Sequence, residues 1–545
     1  MLALAAHLDL LDGFLPRLIT QIDRDPHSPT YGSCDRGFWM YRLHDFDSGV
    51  LQQASLTLAA LVSLAEGGAF EGAKNLDAAD APYWRALALA VNRRNVRLLQ
   101  AGGGYFDEYY PGERSFPATV FGAYSTLKSA LLLGQREIVD HPGLLRTAEA
   151  LVVRQPSPAA NQDIAAAAFL ALYGQARDWR RAAVVRTVDR LIRNADGTVR
   201  CIEYGGVDLG YATVSLNFLA AMVADDSHDA KDVMLQLGRF VGEFVSPQGR
   251  LGGEFPSRAT AYFLPFGAVV ASGADAALAA RLGRLEPAAG CAHLDDRYLM
   301  HYCLPSIACA ALRLFEHGSP RAAETAAAPA SWRVVDYRDR GLLAVRRDGD
   351  DPRALFIGLN KGGTLQAETA TGTLIDCGWR VTRGDETYAT CVLDGTPKFE
   401  VHTPTDGDVV VTVTAPFARY RTLVASAAKT VILRTIRVLG PTFNTYFKSR
   451  LIQNAVPLPG VTLHRRIRLD RQNDRLEIED RIDGLQPGDL LTPAPAASLR
   501  LVPSAKFYQR GEAAAFLRAA EAERETTVKR GFALATLRSA GADEP

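Results

Sequence analysis

The stretch Cys201–Met222, CIEYGGVDLGYATVSLNFLAAM, joins a polar, glycine-broken loop to an apolar helix. Glu203, Tyr204 and Asp208 stand in the loop, and Tyr211 enters the first turn of the helix. Gly205, Gly206 and Gly210 let the backbone turn sharply and approach a ligand closely, and Asp208 is placed to cap the helix that follows. A phenol held there is either a packed aromatic or a proton carrier.

Outward from this stretch, Ala- and Leu-rich blocks with helical spacing of apolar residues run to about Phe315. The clearest are Gly49–Ala65, Tyr83–Gln100, Ala118–Leu133, Pro142–Val153, Ala159–Tyr173, Trp179–Arg193, Tyr211–Ala224, Ala230–Phe244 and Ser306–Phe315. One bundle core cannot bury so many amphipathic faces, so roughly ten to twelve helices suit a closed ring of helical hairpins. The segment His317–Ser331, HGSPRAAETAAAPAS, breaks the pattern with Pro, Gly and low-complexity Ala. Beyond it the period changes to two, in LLAVRR, ALFIGLN, DVVVTVTA, TVILRTIRVLG, TYFKSRLIQ, VTLHRRIRLD and RLEIEDRID, with GD, DG and ND turns between them. The expected class is therefore α+β multidomain: an N-terminal (α/α) toroid over residues 1–316, a linker over 317–331 and a large antiparallel β-sandwich over 332–545.

With 545 residues, 48% hydrophobic and 22% charged, the chain has the composition of a soluble globular protein of two or more domains. Its 61 basic residues balance 61 acidic ones, so no net field points to nucleic acid or to an anionic membrane surface. Seven scattered cysteines without CxxC pairs argue for free thiols in a reducing compartment. The start, MLALAAHLDLLDGFL, lacks a basic n-region and reads as an amphipathic helix rather than a signal peptide. No run of 18 uncharged apolar residues occurs, so membrane insertion is not expected and the expected location is cytoplasmic. No glycine fingerprint follows an expected strand, so no organic cofactor is assigned.

Four clusters carry chemistry. Asn161 and Gln162 open a helix that is otherwise nearly all apolar, where uncharged amides either cap the helix or donate to a substrate carboxylate. In GGEFPSRATAYFLPFG, Glu254 and Arg258 share a loop; Arg258 either forks onto a carboxylate of the substrate or bridges to Glu254. In YGSCDRGFWMYRLHDF, Trp39 and Tyr41 are suited to stack on sugar faces, and Arg36, Arg42 and His44 to meet acidic groups; the same residues equally suit a wedge closing the first hairpin onto the ring. In CAHLDDRYLMHYCLPS, the C-x-H and H-x-C spacings around His293 and His301 do not match common closed zinc sites, so no metal is assigned and the two histidines are read as cleft residues. The β domain adds Lys361, Glu368 and Asp376 around tight turns.

The Asn opening an Ala-rich helix, followed by Asp196-Gly197, Glu203 and Gly210-Tyr211 before an apolar helix, resembles the heparinase II/III-like polysaccharide lyases. The pattern LFIGLNKGG…GTLIDCGW is similar to the start of that family's β domain, and EYGGVDLGYATVSLNFLA and FPSRATAYFLPFG resemble the heparinase-like proteins of bacterial surface-polysaccharide gene clusters. The resemblance implies β-elimination at a uronic acid of an acidic polysaccharide or oligosaccharide, with Asn161 neutralising the carboxylate and Tyr211 as base or acid. A phenol near pKa 10 needs positive charge beside it, such as Arg258, to act as a base at neutral pH. The family also places histidines and a structural zinc in the first β-domain strands. Here that region reads NKGGTLQAET, without His, and only Asp376 stands at the DxG turn. The zinc is therefore not expected, and Lys361, His293 or His301 would replace the catalytic group. A C5-epimerase, a non-catalytic glycan-binding or assembly protein, and an inverting glycosidase using two of Glu203, Asp208 and Glu254 are the alternatives. Carboxylates facing each other across a cleft would favour hydrolysis; Tyr211 facing Asn161 and Arg258 would favour elimination.

Overall fold

The computed structural model describes residues 3–174, 177–193, 199–203, 205–225, 230–288, 290–291, 294–321, 331–394, 396–404, 407–419, 426–436, 456–494 and 526–537. Up to His317 the described residues form twelve helices of seven or more residues. They are α1 (Leu4–Ile19), α2 (Ala54–Glu66), α3 (Ala81–Ala101), α4 (Phe116–Leu132), α5 (Pro142–Val152), α6 (Ala160–Tyr173), α7 (Arg177–Arg190), α8 (Leu209–Ala224), α9 (Lys231–Glu243), α10 (Pro265–Ala274), α11 (Ala276–Leu282) and α12 (Leu304–His317). A short hairpin, β1 (Leu191–Arg193) and β2 (Val199–Cys201), lies between α7 and α8.

Residue choice separates the even-numbered helices from the odd. In α8 every residue from Leu209 to Met222 is buried except Tyr211, and in α6 every residue from Ala160 to Leu170 is buried except Gln162. Helices apolar on all sides must be covered on all sides. The contacts supply that cover in a cycle: α2 packs on α4, α4 on α6, α6 on α8, α8 on α10, α10 on α12, and α12 on α2. The odd helices pack outside them, as α9 does on α8, burying Val233, Met234, Leu237 and Val241 while Lys231, Asp232 and Arg239 stay exposed.

The even helices share a direction. Phe121 of α4 stacks on Phe218 of α8, with centroids 5.6 Å apart, and one two-turn step later Lys128 pairs with Asp225 at 2.6 Å. Tyr302, just before α12, meets Phe121 at 5.2 Å, while Cys309 lies in the field of Lys128 and Asp225. The starts of α4, α8 and α12 therefore gather at one end of the cycle and their ends at the other.

After the helices come β3 (Trp332–Tyr337), β4 (Leu342–Arg347), β5 (Arg353–Gly358), β6 (Thr364–Thr369) and β7 (Thr373–Asp376), a five-stranded antiparallel sheet in sequential order. A second sheet holds β8 (Trp379–Arg383), β9 (Glu386–Ala389), β10 (Lys398–His402), β11 (Val409–Arg419), β12 (Pro457–Asp470), β13 (Arg475–Asp483), β14 (Leu490–Pro493) and β15 (Thr527–Ala533), in the order β14-β8-β9-β11-β12-β13-β15, with β10 on β11. The side-chain alternation of β4 and β5 explains why their sequences are apolar throughout. Leu343, Val345, Leu355 and Ile357 share a core with Val411, Val413 and Ile467 of the second sheet, whereas Leu342, Ala344, Ala354 and Phe356 join the helical core. The five-stranded sheet thus lies between the helices and the second sheet. Arg333 and Glu243 at 2.6 Å, and Gln248 donating to the carbonyls of Thr369 and Gly372, tie the junction.

One local expectation changes, and some elements were not expected. TVILRTIRVLG was read as a strand, but Ala427–Ile436 forms a helix, α13; Ala427-Ala428 start it, and the contiguous Val431-Ile432-Leu433 lacks the alternation a half-buried strand needs. TYFKSRLIQ lies outside the described residues. The helices α10 and α11 and the hairpin β1–β2 were not anticipated, because Pro and Gly punctuate the first and the others are short. Finally, Asp296–His317 is long and apolar enough by composition to cross a membrane, yet most of it is buried among the other helices.

The second sheet is locked by a buried charge network. The Arg465 guanidinium, fully buried, donates to Asp480 at 2.7 and 2.8 Å, to Asp376 at 2.8 Å and to the Gly363 carbonyl at 3.1 Å. Arg530 reaches Asp376 at 2.6 Å and also Asp480, and the Trp379 indole donates to Asp480 at 2.8 Å. Removing the central cation leaves two buried carboxylates short of charge. Arg465→Leu should therefore lower unfolding free energy by about 3 to 5 kcal/mol, measured by urea titration; a loss under about 1 kcal/mol would mean that Arg530 alone balances the pair.

Candidate functional site

Two carboxylates cap two helix starts, and one guanidinium joins them. The loop after β2 doubles back, Glu203 N–H donating to the Gly206 carbonyl at 2.7 Å, and it runs beside the start of α6, where Ala160 N–H donates to the Ile202 carbonyl at 3.1 Å. Gly205 turns this loop with φ +86°. Glu203 is thereby set against Asn161, taking its backbone N–H at 2.9 Å and its Nδ2 at 2.7 Å. Helix starts carry unpaired N–H groups and partial positive charge, so a carboxylate there is stabilised. Asp208 does the same for α8, accepting from Tyr211 N–H at 3.0 Å.

Arg258 closes the pair. Its Nε donates to Asp208 at 2.9 Å, and an Nη lies 3.5 Å from Glu203. Thr260 Oγ1 also donates to Asp208. A Cβ on Gly210 would stand 2.8 Å from that hydroxyl, so a larger residue would push Thr260 off the carboxylate. All of Glu203, Asp208, Arg258 and Thr260 are buried. Burial pushes the Glu203 carboxyl up to about 7, against the opposing pull of Arg258 and the Asn161 hydrogen bonds.

Tyr211 is the part of this assembly that faces outward. The Arg258 guanidinium lies 4.4 Å from its ring centroid, and Tyr262 meets it edge-on at 5.7 Å. This is the positive charge that a phenol acting as a base requires. An aromatic run continues from there: Tyr262 to Tyr298 at 6.3 Å, Tyr298 to Tyr302 at 5.5 Å and Tyr302 to Phe121. Arg297 stacks over Tyr109 at 5.0 Å and pairs with buried Glu108.

The structure brings Asn161, Glu203, Arg258 and Tyr211 together, with Asp208 as the shared hub. Asn161 spends its N–H groups on Glu203, and its buried Oδ1 has no hydrogen-bond partner among the described residues. Gln162 accepts from Ser157 at 2.8 Å. Arg258 bridges to Asp208 and Glu203 rather than to Glu254; Glu254 instead receives Lys361, whose Nζ donates to the Glu254 carbonyl at 2.6 Å in the buried junction between helices and sheet. His301 is buried in a π-helical turn, Leu299–Cys303, and burial with the Arg297 charge pushes it down to about 3, so it is neutral at physiological pH. At the first loop, Arg36 donates to the Tyr41 hydroxyl at 2.7 Å, the Trp39 indole donates to the Gln21 carbonyl at 2.9 Å, and His44 sits 3.4 Å from buried Asp35. The Arg36 and His44 contacts lie within the loop, and the Trp39 contact ties it to the residues after α1. Tyr204 and His293 lie outside the described residues. Glu108, Tyr109, Arg297, Tyr298 and Tyr302 were not singled out: the first two stand in FDEYYPGE, and the last three in DDRYLMHY, a run weighed only for the Cys and His around it.

Zinc does not fit at Asp376. Its oxygens accept from Arg465, Arg530 and the Gly378 N–H, and the two guanidinium charges hold its carboxyl well below the usual range despite burial. No group of three or more metal-ligating side chains occurs among the described residues.

The raised Glu203 carboxyl makes stability depend on pH. It keeps its proton in the folded state up to about 7, whereas the unfolded carboxyl releases it near 4.5. The folded state therefore binds more protons across that window, and stability falls as pH rises through it, by on the order of 3 kcal/mol. Glu203→Gln should flatten this slope in urea titrations between pH 5 and 8, although Glu368, also pushed up by burial, keeps part of it. An unchanged slope would assign the dependence to other groups.

No protein-family model matches the sequence, and no curated protein matches it. Among solved structures the chain is similar to a heparinase III, at 10% identity over 76% of this chain and 63% of that one, with a TM-score of 0.36. The match thus spans less than two thirds of the heparinase III chain. It is also similar to a mutant chondroitin AC lyase from Streptomyces coelicolor A3, at 12% identity over 87% of this chain and 90% of that one, with a TM-score of 0.32.

Proposed function

We propose that this protein is a lyase that cleaves a uronic-acid-containing polysaccharide or oligosaccharide by β-elimination, on an (α/α) toroid joined to a β-sandwich. The observation that carries the reading is Tyr211: the one incompletely buried residue between Leu209 and Met222, set beneath the Arg258 guanidinium that Asp208 and Glu203 hold. The cyclic helix contacts and the core shared by the two sheets support the architecture.

In this mechanism the Tyr211 oxygen takes the C5 proton of the uronate. The C5–H electrons form the C4=C5 double bond, the C4–O4 bond breaks, and the leaving O4 receives a proton, which Tyr211 returns. Arg258 offsets the phenolate charge, and the gathered helix starts favour the anionic carboxylate as it takes on enolate character. Arg297 and the exposed ring of Tyr109 offer charge and a stacking face to neighbouring sugars. The alternative of hydrolysis is less favoured, because Glu203 and Asp208 both turn to one guanidinium instead of facing each other across a gap. Seven scattered cysteines without CxxC pairs are the ground for the reducing, cytoplasmic setting we assign.

With a panel of acidic glycans, absorbance at about 232 nm should rise with wild-type protein, and Tyr211→Phe should slow it by about 10² to 10⁴-fold, the range for loss of a general acid–base group. Glycan binding without any absorbance change would replace the lyase reading with an epimerase, tested by proton exchange at C5, or with a binding protein. A rise that Tyr211→Phe leaves intact would move the chemistry to another residue.

A further inference from the structure

The helical cycle holds a cavity of about 250 Å³. Phe121, Tyr124, Phe218 and Tyr302 supply aromatic surface, and Gln53, Ser125, Asn217 and Ser306 supply amides and hydroxyls. Its lining grades from buried to exposed along the helices. Gln53, Phe121 and Leu264 are buried at the end where the even helices start; Lys128, Asp225 and Arg313 are partly exposed, and Glu316 is exposed, at the end where they finish. The cavity therefore opens on the face of the ring opposite Tyr211, with Tyr302 part of the wall between the two.

We propose that this cavity is a binding site for one neutral pyranose, separate from the Tyr211 site. Its size suits a single sugar ring, and an aromatic wall with a few fixed amides and hydroxyls is the lining that a molecule with an apolar face and a hydroxyl rim requires. Charge selects against an acid. At the mouth Lys128 is paired with Asp225 at 2.6 Å, and Arg313 is joined to His317, itself beside Glu316. The helix ends gathered there present carbonyls and partial negative charge. The Tyr124 hydroxyl is buried in the field of Asp225 and stays protonated, a hydrogen-bond donor. This assignment does not depend on the lyase reading.

The test is saturation-transfer NMR on the full chain with methyl β-glucopyranoside, and with methyl β-glucuronide as the probe of the same ring bearing a carboxylate. Two substitutions fill the cavity independently: Ala221→Leu within it and Ala224→Trp at its partly exposed end. Wild type should bind the neutral glycoside. Tyr211→Phe should leave that binding unchanged, and whichever cavity variants retain the wild-type circular dichroism should weaken it at least tenfold. In competition the glucuronide should displace the neutral probe at least tenfold less well. The proposal fails if wild type gives no signal at tens of millimolar, if the signal survives in the folded cavity variants, if the glucuronide displaces the probe equally well, or if Tyr211→Phe abolishes binding. Loss of the lyase activity proposed for Tyr211 would leave these outcomes untouched.

Discussion

Arg258 between Glu203 and Asp208 is the interaction on which the front of the helical ring depends. Each carboxylate caps a different helix, α6 and α8, so the guanidinium is a strut between two helix starts as well as a charge partner. Taking three ionisable groups out of water is costly, and the cost is offset only if each is hydrogen-bonded in good geometry. The rise of the Glu203 carboxyl toward neutrality shows that the offset is incomplete there. What the arrangement secures is position: the backbone N–H of Tyr211 is bound by Asp208, and its ring is held from above by the guanidinium that Asp208 also binds.

The same logic of covering a surface from both sides runs through the rest of the chain. Small side chains in α6 and α8 let helices pack on each other and on an outer layer at once, and apolar runs in β4 and β5 let one sheet face helices on one side and a second sheet on the other. Charged pairs join these layers. Lys361 with Glu254 and Arg333 with Glu243 bind the sheet to the helices, and Arg465 with Asp376 and Asp480 binds the strands of the second sheet to the turn after β7. A guanidinium there supplies directional N–H groups as well as charge, and Arg465 and Arg530 converge with the Trp379 indole and the Gly378 N–H on Asp376 and Asp480.

The shared direction of α4, α8 and α12 also sets which groups lie at each end. Parallel even helices place N–H ends, Arg258 and Arg297 at one face and carbonyl ends with mutually paired side chains at the other. Tyr302 belongs to both faces: it touches the aromatic run that starts at Tyr211 and forms part of the lining of the cavity.

The change from helical to two-residue periodicity, the position of Asp208 as a helix cap and the grouping of Glu203 and Tyr211 in one loop were legible in the sequence, because all three rest on local spacing. So was the place of Asn161 at the start of an Ala-rich helix. Tertiary structure alone decided the partners. Whether Arg258 met Glu254 or Asp208 depended on how the Gly252–Gly267 loop packs against the start of α8, fifty residues away, and spacing carries no information about that. It also decided that Asp376 faces two arginines from distant strands, that Lys361 is buried in the junction, and that Arg297 of DDRYLMHY meets Glu108 and Tyr109 while His301 is buried. Residue types limit what a side chain can do; only the packing of separate elements fixes which charge it meets and whether water reaches it.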